Sequence, residues 1–204
     1  ITKFDEAGNV LEQIQATRAS TSGKLQASDT FAQSSYVTWT TNQYTECCVL
    51  DSTRMYHTIP ASGEGESGTH YDQTNFQYKS PQIMNWQKTP GGTITFTVFD
   101  ARGNPTKVYV GTDDTGATVG DPTGGGAQGN NMVLVTENQY DGGSSGGNGN
   151  LTQQTQHVDA STTRVTSFTL DWRNRRTDTD GEIDFYEKVY HDNVDRVTKT
   201  ERYD

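Results

Sequence analysis

Side chains able to do chemistry are scattered along the 204 residues. His57, His70, His157 and His191 lie far apart, and no Ser-x-Gly elbow or His-x-x-x-His pair surrounds them. A general base aligned with a nucleophile is therefore not indicated. Cys47 and Cys48 are adjacent, and neighbouring cysteines reach the usual disulfide Cα separation only through a strained turn. They read as unpaired or crosslinking thiols, since a zinc site needs further ligands at set spacing. Asp178, Asp180, Glu182 and Asp184, in the run Asp-Thr-Asp-Gly-Glu-Ile-Asp, look like the start of a loop for Ca²⁺, which takes six to eight oxygen ligands. The rest of such a loop is missing, and a hairpin turn with a solvated rim accounts for the run. Asp113, Asp114 and Asp121 form a weaker candidate of the same kind. Trp39, Trp86 and Trp172, with ten tyrosines, offer flat faces for a glycan or, more simply, packing between hairpins. Glycoside hydrolysis needs two carboxyl groups roughly 5–10 Å apart, and nothing singles out a pair. Asn150-Leu151-Thr152 is an N-glycosylation sequon in a Gly-rich loop. No motif joins nucleophile to base, so the expectation is a protein that is not an enzyme and has no cofactor, Ca²⁺ being the residual candidate.

The elements that would position these residues are strands. The chain holds 32 Thr and only 6 Leu, which favours pleated surfaces over helices. From Thr93 to Phe99, Ile94, Phe96 and Val98 share one face and threonines the other, a period of two. Similar runs are Tyr36 to Tyr44, Met132 to Tyr140, Leu151 to Val158, Arg164 to Leu170, Ile183 to Tyr190 and Val197 to Tyr203. Ala7-Gly8-Asn9, Pro90-Gly91-Gly92, Arg102-Gly103-Asn104-Pro105 and Asp180-Gly181 punctuate them with turn residues. Ser20 to Ser35, Gly111 to Asn131 and Asp141 to Asn150 read as longer loops. The fold class predicted is all-β: antiparallel hairpins in an extended, twisted or spiralling sheet. Only 30% of residues are hydrophobic, so such a chain buries surface by stacking repeats or by meeting partners. The net charge of −10 argues against nucleic acid, and no apolar run is long enough for a membrane span.

A repeat runs through the chain: an aromatic followed by Asp, and then Gly-Asn or Arg. It appears as Phe4-Asp5 with Gly8, Phe99-Asp100 with Gly103, and Tyr140-Asp141 ahead of Gly149-Asn150. Weaker copies are Leu170-Asp171 with Arg175, His191-Asp192 with Arg196, and Tyr203-Asp204. Tyr44-Thr45 and Tyr78-Lys79 read as eroded copies. From Asp5 the steps to Thr45, Lys79 and Asp100 are 40, 34 and 21; from Asp100 to Asp141, Asp171 and Asp192 they are 41, 30 and 21. Thr41-Asn42-Gln43-Tyr44 echoes Glu137-Asn138-Gln139-Tyr140. The domain organisation expected is therefore a single repeat region over 1–204, with super-repeats at approximately 1–95 and 96–187 and a third beginning at about 188.

These motifs, best seen from Thr93 to Asn104 and from Val135 to Asp204, resemble the YD repeat of the rearrangement-hotspot (RHS) family. The resemblance implies that each repeat adds a hairpin to a long sheet, which in that family spirals into a shell in insecticidal toxin complexes, polymorphic toxins and teneurins. It also implies roles for the motif residues: the aromatic packs on the next hairpin, the Asp caps the turn backbone, and Gly or Asn permits positive φ. The family's self-cleavage module resembles paired Asp-Pro-x-Gly elements followed by Leu; here Asp121-Pro122-Thr123-Gly124 stands alone and reads as a turn.

The function expected is structural: a segment of a secreted or cell-surface protein that builds a sheet, shell or fibre through self-association with neighbouring copies or flanking repeats. The open strand edges at Ile1–Phe4 and Arg196–Tyr203 are the expected contacts. The alternatives are a wall fragment of a toxin-encapsulating cocoon, and a carbohydrate-binding surface module.

Overall fold

A computed structural model describes residues 1–18, 23–26, 29–45, 48–80, 83–141, 147–182 and 185–203. Cys47, Ile183, Asp184, Asp204 and parts of the loops after Ser20 and Asp141 lie outside the described residues. The chain is all-β, and among the described residues the only helical element is the 3₁₀ turn Gln33–Ser35. Two compact units divide it, Ile1–Ile94 and Thr95–Asp204.

The first unit carries β1 (Thr2–Phe4), β2 (Val10–Ala16), β3 (Tyr36–Tyr44), β4 (Leu50–Tyr56), β5 (Tyr71–Ser80) and β6 (Ile83–Lys88), and β7 (Ile94–Phe99) begins at its last residue. The second carries the rest of β7, then β8 (Pro105–Gly111), β9 (Val133–Tyr140), β10 (Leu151–His157), β11 (Thr163–Leu170), β12 (Arg176–Gly181), β13 (Phe185–His191) and β14 (Val197–Tyr203). Each strand neighbours the next in chain order, from β1 to β14, so the sheet is open and not closed. β3 and β14 coincide with the alternating runs of the sequence. β5, β8 and β12 do not announce themselves: Tyr-Asp-Gln-Thr-Asn-Phe-Gln-Tyr, Pro-Thr-Lys-Val-Tyr-Val-Gly and Arg-Thr-Asp-Thr-Asp-Gly lack sustained apolar alternation. Their backbone groups are paired from both sides, and that pairing makes them strands.

The core is thin. In the first unit, Ile14, Trp39, Tyr71, Trp86 and Ile94 are buried; in the second, Phe96 and Met132 are. Trp39 stacks on Tyr56 at 4.0 Å between centroids and meets Tyr36 edge-on at 5.8 Å, while Tyr56 leans on Tyr71 at 5.2 Å. The aromatic row thus crosses β3, β4 and β5. The Gln33 side chain donates to the carbonyls of Pro60 and Gly63, tying the segment before β3 to the loop after β4.

Residues 112–132, between β8 and β9, are organised by side chains more than by apolar burial. Asn131 Oδ1 accepts the backbone N–H groups of Thr112 and Asp113. Asn130 Nδ2 donates to the carbonyls of Thr115 and Pro122, and its Oδ1 accepts the N–H of Met132. Asp121 caps its own turn, accepting the N–H groups of Thr123 and Gly125. The Asp-Pro-Thr-Gly string is therefore a hydrogen-bonded turn around a fully buried Pro122.

Candidate functional site

Strand direction alternates, so within each unit every hairpin from an odd- to an even-numbered strand turns at the same end. Within each unit the aromatic-Asp motifs up to His191-Asp192 lie at that end, as does the longer loop from Asp141 to Asn150; the connections from β2 to β3, β4 to β5 and β8 to β9 lie at the other, as does Tyr203 at the close of β14.

The motif builds one turn. At Asp5 the backbone N–H donates to the Asn9 carbonyl and the Gly8 N–H donates back to the Asp5 carbonyl. Oδ1 then accepts the N–H groups of Ala7 and Asn9, and Oδ2 accepts the Asn9 amide. Gly8 sits at φ 87°, where a side chain is strained. Asp100 repeats each bond with Arg102, Gly103 and Asn104. At Asp171 and Asp192 the fourth residue on is Arg175 or Arg196, whose Nε replaces the amide donor at 2.7 and 2.8 Å from Oδ2. There Asn174 and Asp195 take the left-handed position, at φ 63° and 65°. At Asp141 the closing residue is Asn150, nine positions on, and the same bonds close over an insertion. The eroded Thr45 copy keeps the fold of the turn: its N–H donates to the Val49 carbonyl, and Cys48 stands at φ 63°. At the Lys79 position, Ser80 pairs with Ile83 across residues outside the described set.

A further feature escaped the motif. The sixth residue after Asp100, Asp171 and Asp192 is threonine, and Thr106, Thr177 and Thr198 donate their hydroxyls to the carbonyls of Val98, Thr169 and Tyr190. The turn between β6 and β7 also follows the plan without any Asp: Thr89 N–H donates to the Thr93 carbonyl, and Gly92 has φ 84°.

In the second unit the turns are tied to one another. Arg102 donates to the Gly147 carbonyl. Asn148 and Asn150 both donate to Asn174 Oδ1. Arg175 Nη1 reaches the Asp192 carbonyl and Asp195 Oδ1, each at 2.8 Å, and Arg173 donates to the Asn193 carbonyl. Both hydrogens of the Asn150 amide are engaged, to Asp141 Oδ2 and to Asn174; its nitrogen is the atom a glycan would need.

The turn carboxylates are held charged. The Asn9 amide lowers Asp5, the Asn104 backbone lowers Asp100, the Asn150 amide lowers Asp141 and the Arg196 side chain lowers Asp192. Hydrogen bonding from Arg175 takes Asp171 down to about 2 from 3.8. Because the folded value lies below the ordinary one, this contribution is complete above about pH 4 and is lost as pH falls through about 2. A carboxyl carbon NMR titration should place the Asp171 midpoint near 2; a midpoint near 3.8 would contradict the turn geometry.

The other candidates do not converge. Asp178 lies in β12 and accepts from Thr177 and from the Tyr186 hydroxyl, which is pushed up to about 12 by that bond. Glu182 turns away and accepts the Val165 N–H. Among the described residues, no group of three or more His, Cys, Asp or Glu is placed to hold a metal ion. Trp39 and Trp86 are buried, whereas Trp172 is 82% exposed beneath the Arg173 guanidinium, so the three form no common platform. His70 accepts the Glu66 N–H, and His157 lies 3.6 Å from Glu137, in different units. Among the described residues, no helix is long and apolar enough to cross a membrane.

No family model matches the chain, and no curated protein matches it by sequence. Solved structures do match. A crystal structure of TcdB2-TccC3 without the hypervariable C-terminal region aligns over 98% of this chain at a TM-score of 0.59 and 12% identity. TcdB2-TccC3-Cdc42 aligns over 99% at 0.56 and 11% identity, and the Photorhabdus luminescens Tc holotoxin pore with the TccC3-D651A mutation over 99% at 0.54 and 10% identity. The chain spans about a tenth of the length of these solved chains, 10% or 11%. At such identity the likeness defines the fold alone. That fold is RHS/YD-like: an antiparallel sheet with an Asp-capped turn at Asp5 in the first unit and at Asp100, Asp141, Asp171 and Asp192 in the second.

Proposed function

We propose that the chain is a structural segment of a secreted or surface-exposed wall, extending a β-sheet into a shell or fibre through contacts between repeats at its open edges. The observation that carries this reading is the row of Asp turns. They spend their carboxylates, amides and guanidinium groups on one another and on the backbone, which is the work of a scaffold. The match to Tc toxin structures supports a structural sheet role. It also favours a second reading, a wall segment around an enclosed cargo. The protein acts without a cofactor and carries out no reaction in either reading.

The super-repeat organisation is part of the proposal. Asn42 and Tyr44 both donate to the Val10 carbonyl, at 2.9 and 3.1 Å; Asn138 and Tyr140 both donate to the Pro105 carbonyl, at 2.9 and 3.1 Å. The Asn-Gln-Tyr echo thus performs one task at two places six strands apart.

Electron microscopy of the purified chain, with mass per length if rods appear, tests the fibre reading. Rods with an axial rise near that of one or two super-repeats are expected. Discrete monomers at every concentration would overturn the fibre and leave the enclosing wall as the surviving reading.

A further inference from the structure

A tight hairpin turn sets the register of its two strands, but a long connection does not. A slide of two residues keeps every side chain on its own face, so alternation alone does not forbid it. The two longest connections in the chain join β2 to β3 across residues 17–35 and β8 to β9 across residues 112–132. The sequence contains only two Asn-x-Tyr triplets, Asn42-Gln43-Tyr44 and Asn138-Gln139-Tyr140, and they stand on β3 and β9, the strands that follow those connections. Each makes the same bonds in the same frame. Glu12 faces Thr41 and Lys107 faces Glu137, in both cases the residue just before the Asn. Two residues upstream of Glu12 and Lys107, the carbonyls of Val10 and Pro105 accept both the Asn amide and the Tyr hydroxyl. The Asn Oδ1 serves the opposite neighbour: Asn42 accepts the Thr53 hydroxyl and Asn138 accepts the Gln154 amide, each from its direct partner on the next strand. One side chain thus straps β2, β3 and β4, and its counterpart straps β8, β9 and β10. Where the connection is short the triplet is absent: residues 158–162 join β10 to β11, residues 182–184 join β12 to β13, and neither β11 nor β13 carries it.

We infer that Asn-x-Tyr is a register clamp, a pair of positioning residues that fixes strand pairing where a long connection cannot. A slide by one residue moves the target carbonyl by about 3.4 Å, and by two residues about twice that, beyond reach of both donors. The clamp separates the sheet from what the long connections carry: residues 18–34 can change in sequence without shifting β2 against β3. This role holds whether the wall extends as a fibre or closes around a cargo.

The test uses three forms of the full chain and reads register by NMR, from cross-strand proton contacts between Gln13 and Thr40 and between Ile14 and Trp39, which are direct partners. In the first, residues 18–34 are replaced by a Gly/Ser sequence of equal length and the triplet is kept; both contacts should persist. In the second, the same replacement is combined with Asn42→Ala and Tyr44→Phe; both contacts should be lost. In the third, residues 18–34 are replaced by Asn-Gly, a tight turn between Thr17 and Ser35, whose backbones already pair, again with Asn42→Ala and Tyr44→Phe. Here the contacts should return, because the turn now sets the register. Loss of the contacts in the first form would show that the natural loop holds the register. Their survival in the second would show that the triplet is not needed. Their loss in the third as in the second would show that the triplet adds stability without setting register. Each of these results would overturn the clamp.

Discussion

Replacing Trp39 by alanine is expected to lower the unfolding free energy by about 3–5 kcal/mol, the range for a large aromatic removed from a core. The side chain is 8% exposed, its ring stacks on Tyr56 with an interplanar angle of 17°, and its Nε1 donates to Glu12 Oε2 at 3.2 Å. Alanine deletes the stack and leaves Tyr36 and Tyr56 facing a void. A sheet with so few buried apolar residues has little else to close the gap. The companion Trp172→Ala should change stability by less than about 0.5 kcal/mol, because that indole is exposed. Urea unfolding followed by far-UV circular dichroism separates the two; equal effects would mean that the aromatic row does not hold the first unit together.

The second large effect is at Asn130. Alanine there removes the donor to the Thr115 and Pro122 carbonyls and the acceptor for the Met132 N–H in one step. Pro122 is fully buried and Met132 is 5% exposed, so water does not readily replace these bonds. A loss of about 2–3 kcal/mol follows, since each unsatisfied buried polar group costs about 1–3 kcal/mol and part of the loop relaxes. Asn130→Asp keeps the acceptor but sets a carboxylate oxygen against the Thr115 and Pro122 carbonyls, and should destabilise at least as much as alanine in the same urea experiment. Indistinguishable midpoints for all three would show that the loop is not organised by this side chain.

The physical signals in the sequence were uneven. β3 and β14 were readable because Tyr, Val and Thr alternate along them. β5 and β12 were not, since Gln, Asn, Asp and Thr dominate both faces and only pairing on each side makes them strands. The Asp turns were legible from Asp5-x-x-Gly8 and Asp100-x-x-Gly103, where glycine marks the left-handed residue. Asn174, Asp195 and Cys48 fill that position without glycine, which hides it. The Thr89 turn lacks the carboxylate altogether and was visible only as Pro-Gly-Gly. The Asn-Gln-Tyr echo stood out as a repeated string, but its purpose depends on a carbonyl 32 residues away in one unit and 33 in the other, a distance that local pattern does not encode. Ties between turns, such as Arg175 to Asp195, are likewise invisible until the hairpins are side by side.

Hydrogen exchange on the assembled protein, compared with the dispersed chain, tests the structural account most directly. If the sheet continues through its open edges, amides of Val197–Tyr203 in β14 and Thr2–Phe4 in β1 gain protection on assembly, while those of inner strands such as β4 and β10 stay as they were. Edge amides that exchange equally fast in both states would show that the sheet ends at β1 and β14 and that its role as an extending wall is wrong.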